Sequence, residues 1–310
     1  MKSINLVNVA VAQVEPAENK DKAILKIAEF AQKAAEKNAQ LILFPEAFIG
    51  GYPRGSGFGA TVGVRTNEGR ESFRRYWEAA IEVPSKECSQ IGQIAKRNKL
   101  QIVVGVIERD GGTLYCTVIF FSADGELMGK HRKLMPTGSE RLVWGFGNGS
   151  TMPVFNTPIG KVGAVICWEN YMPLMRAAHY AKGIQIYCAP TADGRDTWLP
   201  TMRHIAIEGR CFVLTCNQFA RKSHYPESYG GDSDQSEIVS RGGSCIIDPF
   251  GSILVGPNFE GEALLVAEIN QDDIPRAKYD FDVTGHYARP DVFSLHVNEA
   301  NTLPVVFSST

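Results

Sequence analysis

Residues Gly160 to Leu174 read G-K-V-G-A-V-I-C-W-E-N-Y-M-P-L. Val162 to Ile166 is a short apolar run rich in β-branched residues, which predicts a buried strand. From Met172 to Lys182 the period changes: Leu174, Ala177, Ala178 and Ala181 fall at helical spacing, Pro173 suits a first turn and Gly183 a C-terminal cap. Cys167 therefore sits where a strand gives way to a helix. An elbow of this kind lifts a side chain out of a sheet, and the positive end of a helix lowers a thiol's pKa and favours the nucleophilic thiolate. The competing reading is a small core residue, the usual fate of a free cysteine.

Working outward, the same alternation of strand and helix recurs. Residues 4 to 14 alternate as a first strand, and Asn19 to Asn38 is a helix with Ile24, Ile27, Ala31 and Ala34 on one face. Leu41 to Phe44 is a buried strand stopped at Pro45, immediately followed by Glu46. Ile49 to Gly69 is rich in glycine and predicts an extended loop carrying Tyr52 and Phe58, a natural wall for a binding site. A helix from Ser85 to Asn98 and strands Leu100 to Ile107 and Tyr115 to Phe121 come next. The basic run around His131 to Lys133 then reads either as a solvated surface or as a strand end running into a loop at Pro136. Beyond the elbow follow the strand Ile184 to Ala189, a helix Thr197 to Glu208 and the strand Cys211 to Asn217. A polar loop, Arg221 to Ser240, precedes strands Ser244 to Ile247, Ile253 to Val255 and Leu264 to Ile269, a short helix Asp272 to Lys278 and an irregular tail.

No break in composition divides these units, so the 310 residues are expected to form one α/β domain of layered sheets and helices. With 32 basic against 34 acidic residues, the chain gives no electrostatic reason to expect nucleic acid or an anionic membrane, and a small-molecule ligand is expected. Seven cysteines, an odd number mostly inside apolar runs, favour reduced thiols. No C-x-x-C or H-E-x-x-H is present, so no metal is expected. The N-terminus lacks a signal-peptide core and no run reaches membrane-spanning length, which predicts a soluble cytoplasmic protein.

Glu46, Lys133 and Cys167 each follow a strand end, where α/β folds gather their ligands. If they converge, Glu46 can take the thiol proton, Cys167 can attack an electrophilic carbon, and Lys133 with the Trp168 N–H can stabilise the charge that develops. Taken singly, Glu46 also reads as a helix cap or arginine partner and Lys133 as a surface residue. Serine-elbow, dinucleotide and phosphate-loop motifs are missing their minimum parts.

At this point the sequence resembles the nitrilase branch of the carbon-nitrogen hydrolases, with plant-type nitrilases especially similar. The resemblance rests on F-P-E-A-F-I-G-G-Y-P-R-G (Phe44 to Gly55), H-R-K-L-M-P-T (His131 to Thr137), I-C-W-E-N-Y-M-P-L (Ile166 to Leu174) and Y-C-A-P-T-A-D (Tyr187 to Asp193). It extends to H-I-A-I-E-G (His204 to Gly209) and G-H-Y-A-R-P-D (Gly285 to Asp291). It implies a four-layer αββα sandwich and a catalytic set mapping onto Glu46, Lys133 and Cys167, with Glu140 as a second glutamate orienting Lys133 or supporting proton transfer. Tyr52, Thr137, Trp168, Glu169, Thr191, Ala192 and Asp193 are expected around the substrate, with a core aromatic supporting the elbow as the alternative for Trp168.

The implied reaction converts a nitrile and two waters to a carboxylic acid and ammonia through a thioimidate and a thioester, without cofactor or metal. An amidase or carbamoylase using the same residues is the sister alternative, and a catalytically silent scaffold is the alternative of another class. A homodimer or larger spiral homo-oligomer is implied, with residues 280–310 as an arm at a subunit contact.

Overall fold

The computed structural model describes residues 5–225, 238–302 and 305. The first half of the chain builds β1 (Leu6–Gln13), α1 (Lys20–Glu36), β2 (Leu41–Leu43), α2 (Asn67–Ala79), α3 (Lys86–Asn98), β3 (Gln101–Asp110), β4 (Thr113–Phe121) and β5 (Leu127–Arg132). Then come β6 (Val154–Thr157), β7 (Gly160–Ala164), α4 (Pro173–Ala181), β8 (Ile186–Thr191), α5 (Trp198–Gly209) and β9 (Phe212–Asn217). The last part holds β10 (Phe219–Arg221), β11 (Ile238–Arg241), β12 (Ser244–Ile247), β13 (Ile253–Asn258), β14 (Ala263–Asn270) and α6 (Asp273–Asp280). One sheet runs β14-β1-β2-β3-β4-β5 and the other β13-β12-β9-β8-β7-β6, with β10 and β11 paired apart from both.

The period of two along each strand sorts the side chains into layers. Val9, Val11, Leu41, Leu43, Val103 and Val118 from the first sheet share one buried cluster with Val162, Ala164, Ile186, Cys188 and Leu214 from the second. The alternate residues of the first sheet, among them Ala10, Ile42, Ile102 and Ile119, bury against Ile24, Ile27 and Phe30 of α1 and Ile91 and Ile94 of α3. Those of the second, Tyr187, Ala189 and Val213, bury against Met175 and Ala178 of α4 and Met202 and Ile205 of α5. Strands covered on both faces read as continuous apolar runs, as Leu41 to Leu43 and Ile186 to Thr191 do. The result is the αββα sandwich.

Two departures from the sequence reading bear on the site. The glycine-rich loop ends earlier than expected: Thr66 caps α2, its side chain accepting from Gly69 N–H. This helix is mostly polar, and only Phe73, Tyr76 and Trp77, half-buried, reach the inter-sheet core. That stripe is too thin for its period to stand out. Second, the elbow does not pass straight into α4. Cys167–Tyr171 forms a separate 3₁₀ turn, after which Pro173 opens the helix and Gly183, at φ +76°, follows it in the left-handed conformation.

The tail after α6 forms neither helix nor strand in its described part. It lies back along the chain's own surface, where Asn148 Nδ2 donates to Thr302 Oγ1 at 3.0 Å and Lys182 pairs with Glu299. Residues 226–237 of the expected polar loop, and 303, 304 and 306–310 of the expected arm, lie outside the described residues. Among the described residues no helix is long and apolar enough to cross a membrane, and no group of three His, Cys, Asp or Glu side chains is arranged to hold a metal ion.

Candidate active site

Each residue of the expected trio leaves its sheet by a different device. Glu46 follows β2, where Phe44 N–H still donates to Val103 O at 2.8 Å. Ala47, at φ +52°, then turns the chain sharply, and Gln218 Nε2 holds the Glu46 carbonyl at 3.1 Å. Lys133 is the first residue past β5; its N–H extends the ladder by one bond to Cys116 O at 2.8 Å. Cys167 lies past β7 in the second sheet with φ +49°. A non-glycine residue held there costs about 1–2 kcal/mol, so the surroundings must enforce it. Asn170 does so from within the turn, donating to Val165 O at 3.0 Å and Cys167 O at 2.7 Å while accepting from Tyr187 OH at 2.9 Å.

The side chains meet. Lys133 Nζ donates to Glu46 Oε1 and to Glu140 Oε2, both at 2.8 Å, and the three are buried. Glu140 is fixed further by Thr137 N–H at 2.7 Å and Tyr52 OH at 2.7 Å. Glu46 Oε1 also accepts from the Cys116 thiol at 3.4 Å, whereas Oε2 is buried with no hydrogen-bond partner. A buried carboxylate oxygen left open in this way is a ready proton acceptor. Cys167 Sγ accepts from Thr191 Oγ1 at 3.2 Å.

Burial, with the Glu140 carboxylate adding to it, raises the Glu46 carboxyl above its ordinary range despite the pull of Lys133. Burial works against the Lys133 charge, but Glu46 and Glu140 hold its pKa well above the ordinary value. The Cys167 thiol is pushed up, chiefly by burial and next by Glu46, with Lys133 and Thr191 opposing. The lowering expected from the helix end is thus outweighed by burial and Glu46, which favour the protonated thiol and leave work for the neighbouring base that the sequence reading assigned to Glu46.

Cys167 opens onto a cavity of about 510 Å³ also lined by Tyr52, Thr137, Glu140, Trp168, Ala192 and Asp193. Trp168 is a cavity wall rather than a core aromatic, 40% exposed, its Nε1 donating to Asp193 Oδ2 at 2.9 Å and its ring covered by the Arg195 guanidinium. Thr191 lies just beneath, on the sulfur. Glu169 is the exception among the expected wall residues. It is wholly buried on the far side of the turn, bonded to Ile166 N–H, Leu134 N–H and His131, because a 3₁₀ turn sends residues two apart in different directions.

Sequence reasoning passed over Arg54, Arg195 and Arg241, which line the cavity, and Cys116, Gln218 and Asn170, which support the trio. Asn170 carried a signal in its place three residues past Cys167, Arg54 in the motif Phe44 to Gly55, and Arg195 in its place two residues past Asp193. Arg241, Cys116 and Gln218 come from segments remote in sequence from the motifs.

Comparison with known proteins identifies the family. Residues 8–279 match the family model for carbon-nitrogen hydrolases. The bifunctional nitrilase/nitrile hydratase NIT4B of Nicotiana tabacum is 57% identical over 296 residues, covering 94% of this chain and 84% of the relative. The aliphatic nitrilase of Sinorhizobium fredii is 54% identical over 300 residues, covering 96% and 97%. Nitrilase 1 of Arabidopsis thaliana is 53% identical over 309 residues, covering 97% and 89%. Among solved structures, a carbon-nitrogen hydrolase from Helicobacter pylori superposes with a TM-score of 0.74 at 19% identity, over 93% of this chain and 97% of that one. Nit3 of Saccharomyces cerevisiae gives 0.71 at 24%, over 91% and 96%, so the sandwich is shared where little sequence is. A family match along nearly the whole described sandwich, with relatives more than half identical to it, means that this chain belongs to the carbon-nitrogen hydrolase family.

Proposed function

We propose that the protein is a nitrilase that converts an organic nitrile, R–CN, and two waters to R–COOH and ammonia, with Cys167 as nucleophile, Glu46 as base and Lys133 as electrophilic support. What carries the reading is the meeting of the Cys167 thiol, which opens onto the cavity, with a Glu46 carboxylate that keeps one oxygen open and with the buried Lys133 ammonium bonded to that carboxylate. The nitrilase names of the relatives set the substrate class.

The steps follow from proton positions. Glu46 Oε2 takes the Cys167 proton as sulfur bonds to the nitrile carbon. Glu46 then passes that proton to the nitrile nitrogen, giving a thioimidate and regenerating the carboxylate. Lys133 has two N–H groups committed to Glu46 and Glu140, and its third, with the Trp168 N–H, faces the developing negative charge. Water adds to the thioimidate carbon, one of its protons passing through Glu46 to the nitrogen; the hydroxyl proton follows as C=O forms and the C–N bond breaks, releasing ammonia and leaving the thioester. A second water cleaves the resulting thioester, and the thiol recovers its proton. Breaking the C–S bond of the tetrahedral intermediate instead releases the amide. Glu140 orients Lys133, and Tyr52, Thr137, Trp168, Thr191, Ala192 and Asp193 surround the substrate.

The tail from residue 280 is assigned to a subunit contact of a homodimer or larger spiral. Its support is the exposed Tyr287, Val292 and Phe293 on an arm whose described residues beyond α6 form neither helix nor strand.

The test is acid and ammonia release from matched aliphatic and aromatic nitriles and their amides, for wild type beside Cys167→Ala. Acid from nitriles that disappears in the variant upholds the reading. Turnover of amides alone would move the protein to the amidase branch, and Cys167-independent turnover would remove the nucleophile.

A further inference from the structure

Glu46 and Lys133 belong to the first sheet and Cys167 to the second, so the reacting groups are aligned only if the two sheets keep their register at this edge. One carboxylate spans that gap. Glu169, in the 3₁₀ turn that Cys167 opens, accepts its own turn's Ile166 N–H on Oε2 at 2.8 Å. Its Oε1 accepts Leu134 N–H at 2.5 Å, and Oε2 meets His131 Nε2 at 2.9 Å. Leu134 and His131 are the residues after and two before Lys133, so the carboxylate grips the lysine's segment on both sides. His131 is anchored in turn, its Nδ1 2.6 Å from Thr151 O. A carbonyl admits only a donor, so Nδ1 carries a proton; the carboxylate opposite demands one on Nε2 as well. Both side chains are wholly buried, and none of this machinery lines the cavity.

We propose that Glu169, with His131 as its partner, is the positioning residue that holds Lys133 in register with Cys167 across the two sheets. The inference rests on the roles given above to Cys167 and Lys133. A buried ion pair placed away from the cavity is weak evidence of stabilisation on its own account. Here its bonds go to the two segments whose relative placement the reaction needs, and a misplacement near 1 Å at such a site costs about 10²-fold in rate.

The experiment compares Glu169→Gln, His131→Gln and the double variant with wild type, using Ile27→Val, in the α1 layer, as a control for general loss of stability. For each, thermal midpoint, kcat and KM for a hydrolysed nitrile, and the rate of iodoacetamide alkylation at the Cys167 peptide are measured below the midpoint. Each single variant is expected to lower kcat about 10- to 100-fold with KM little changed, and to slow Cys167 alkylation. The double variant is expected to be no worse than the poorer single one, because both break the same link. Wild-type kcat and alkylation in the folded single variants, or losses that multiply in the double variant, would overturn the proposal. If Glu169→Gln does not fold, His131→Gln decides by the same readouts. A wild type inert to nitriles would sink the nitrilase reading, while alkylation would still decide whether the clamp acts on Cys167.

Discussion

Lys133 Nζ lies 2.8 Å from Glu46 Oε1 with neither side chain exposed to solvent, although 87 residues separate them in sequence. A second carboxylate, Glu140, completes the cluster at the same distance from the ammonium. Beside it, burial and next the Glu46 carboxylate raise the Cys167 thiol above its ordinary pKa, with Lys133 opposing. The lysine prevents the two acids from repelling each other apart.

Removing the ammonium exposes that repulsion. Lys133→Met is expected to abolish hydrolysis and to destabilise the fold by about 3–5 kcal/mol, the usual consequence of stripping one partner from a buried pair. The Glu46 carboxyl, already raised by burial and now without the opposing pull of Lys133, has a folded pKa above that of the unfolded chain, so its penalty is full above the folded value and fades as pH falls toward the ordinary carboxylate range. Urea unfolding from pH 7 to pH 4.5 should therefore show the gap between variant and wild type narrowing. A constant gap would mean that the lysine contributes packing alone.

In the proposed role Glu46 has to be ionised to accept the thiol proton, and burial raises its carboxyl pKa above the ordinary 4.5. The acid limb of kcat/KM is accordingly expected above that value, with activity lost as pH falls through it. Glu46→Gln should lose about 10²- to 10⁴-fold in kcat, the usual range for a general base, while the folded protein persists. A limb at or below the ordinary carboxylate value would remove Glu46 from this role.

Thr191 supplies the hydroxyl 3.2 Å from Cys167 Sγ, and its partner becomes charged when the thiol gives up its proton. Thr191→Val keeps the shape and removes the donor. A hydrogen bond to a charged group contributes about 1.5–3 kcal/mol, so kcat is expected to fall about 10- to 100-fold with little change in KM. Unchanged kcat would show that the sulfur develops no charge toward this side.

How much of this was legible beforehand follows from where each residue sits in the chain. Strand ends can be read from apolar runs stopped by proline or polar residues, and Glu46, Lys133 and Cys167 all stand at such ends. What distinguished them from a cap, a surface lysine and a core thiol was the resemblance of whole motifs to one family. Side-chain direction was not legible. Trp168 and Glu169 are adjacent, yet one walls the cavity and the other is buried beneath the turn. Their directions depend on the 3₁₀ geometry and on Leu134 and His131 in another sheet. Cys116, in β4, and Gln218, between β9 and β10, reach Glu46 from 70 and 172 residues away, through pairings that no local pattern records.

The last prediction concerns a residue with no side chain. Gly105, in the middle of β3, lies against the turn that presents Glu46. An added Cβ would stand 2.2 Å from Pro45 O and 2.7 Å from both Ala47 N and Glu46 Cα, all backbone atoms that cannot swing aside. The β3 backbone also receives Ile49 N–H at Gly105 O, 3.2 Å away, so strand and turn cannot separate without losing a bond. Gly105→Ala should thus displace Glu46 from Lys133 and Cys167 together, costing about 1–3 kcal/mol or more as an overpacked core does. The expected loss in kcat is about 10²-fold, the usual effect of moving a reacting group by 1 Å. Gly112→Ala, whose added carbon meets nothing within 4 Å, is the control expected to leave thermal midpoint and kcat unchanged. If Gly105→Ala lowers the midpoint but not kcat, the Glu46 turn moves with β3 as a unit and its place in the site is set from the Gln218 side instead.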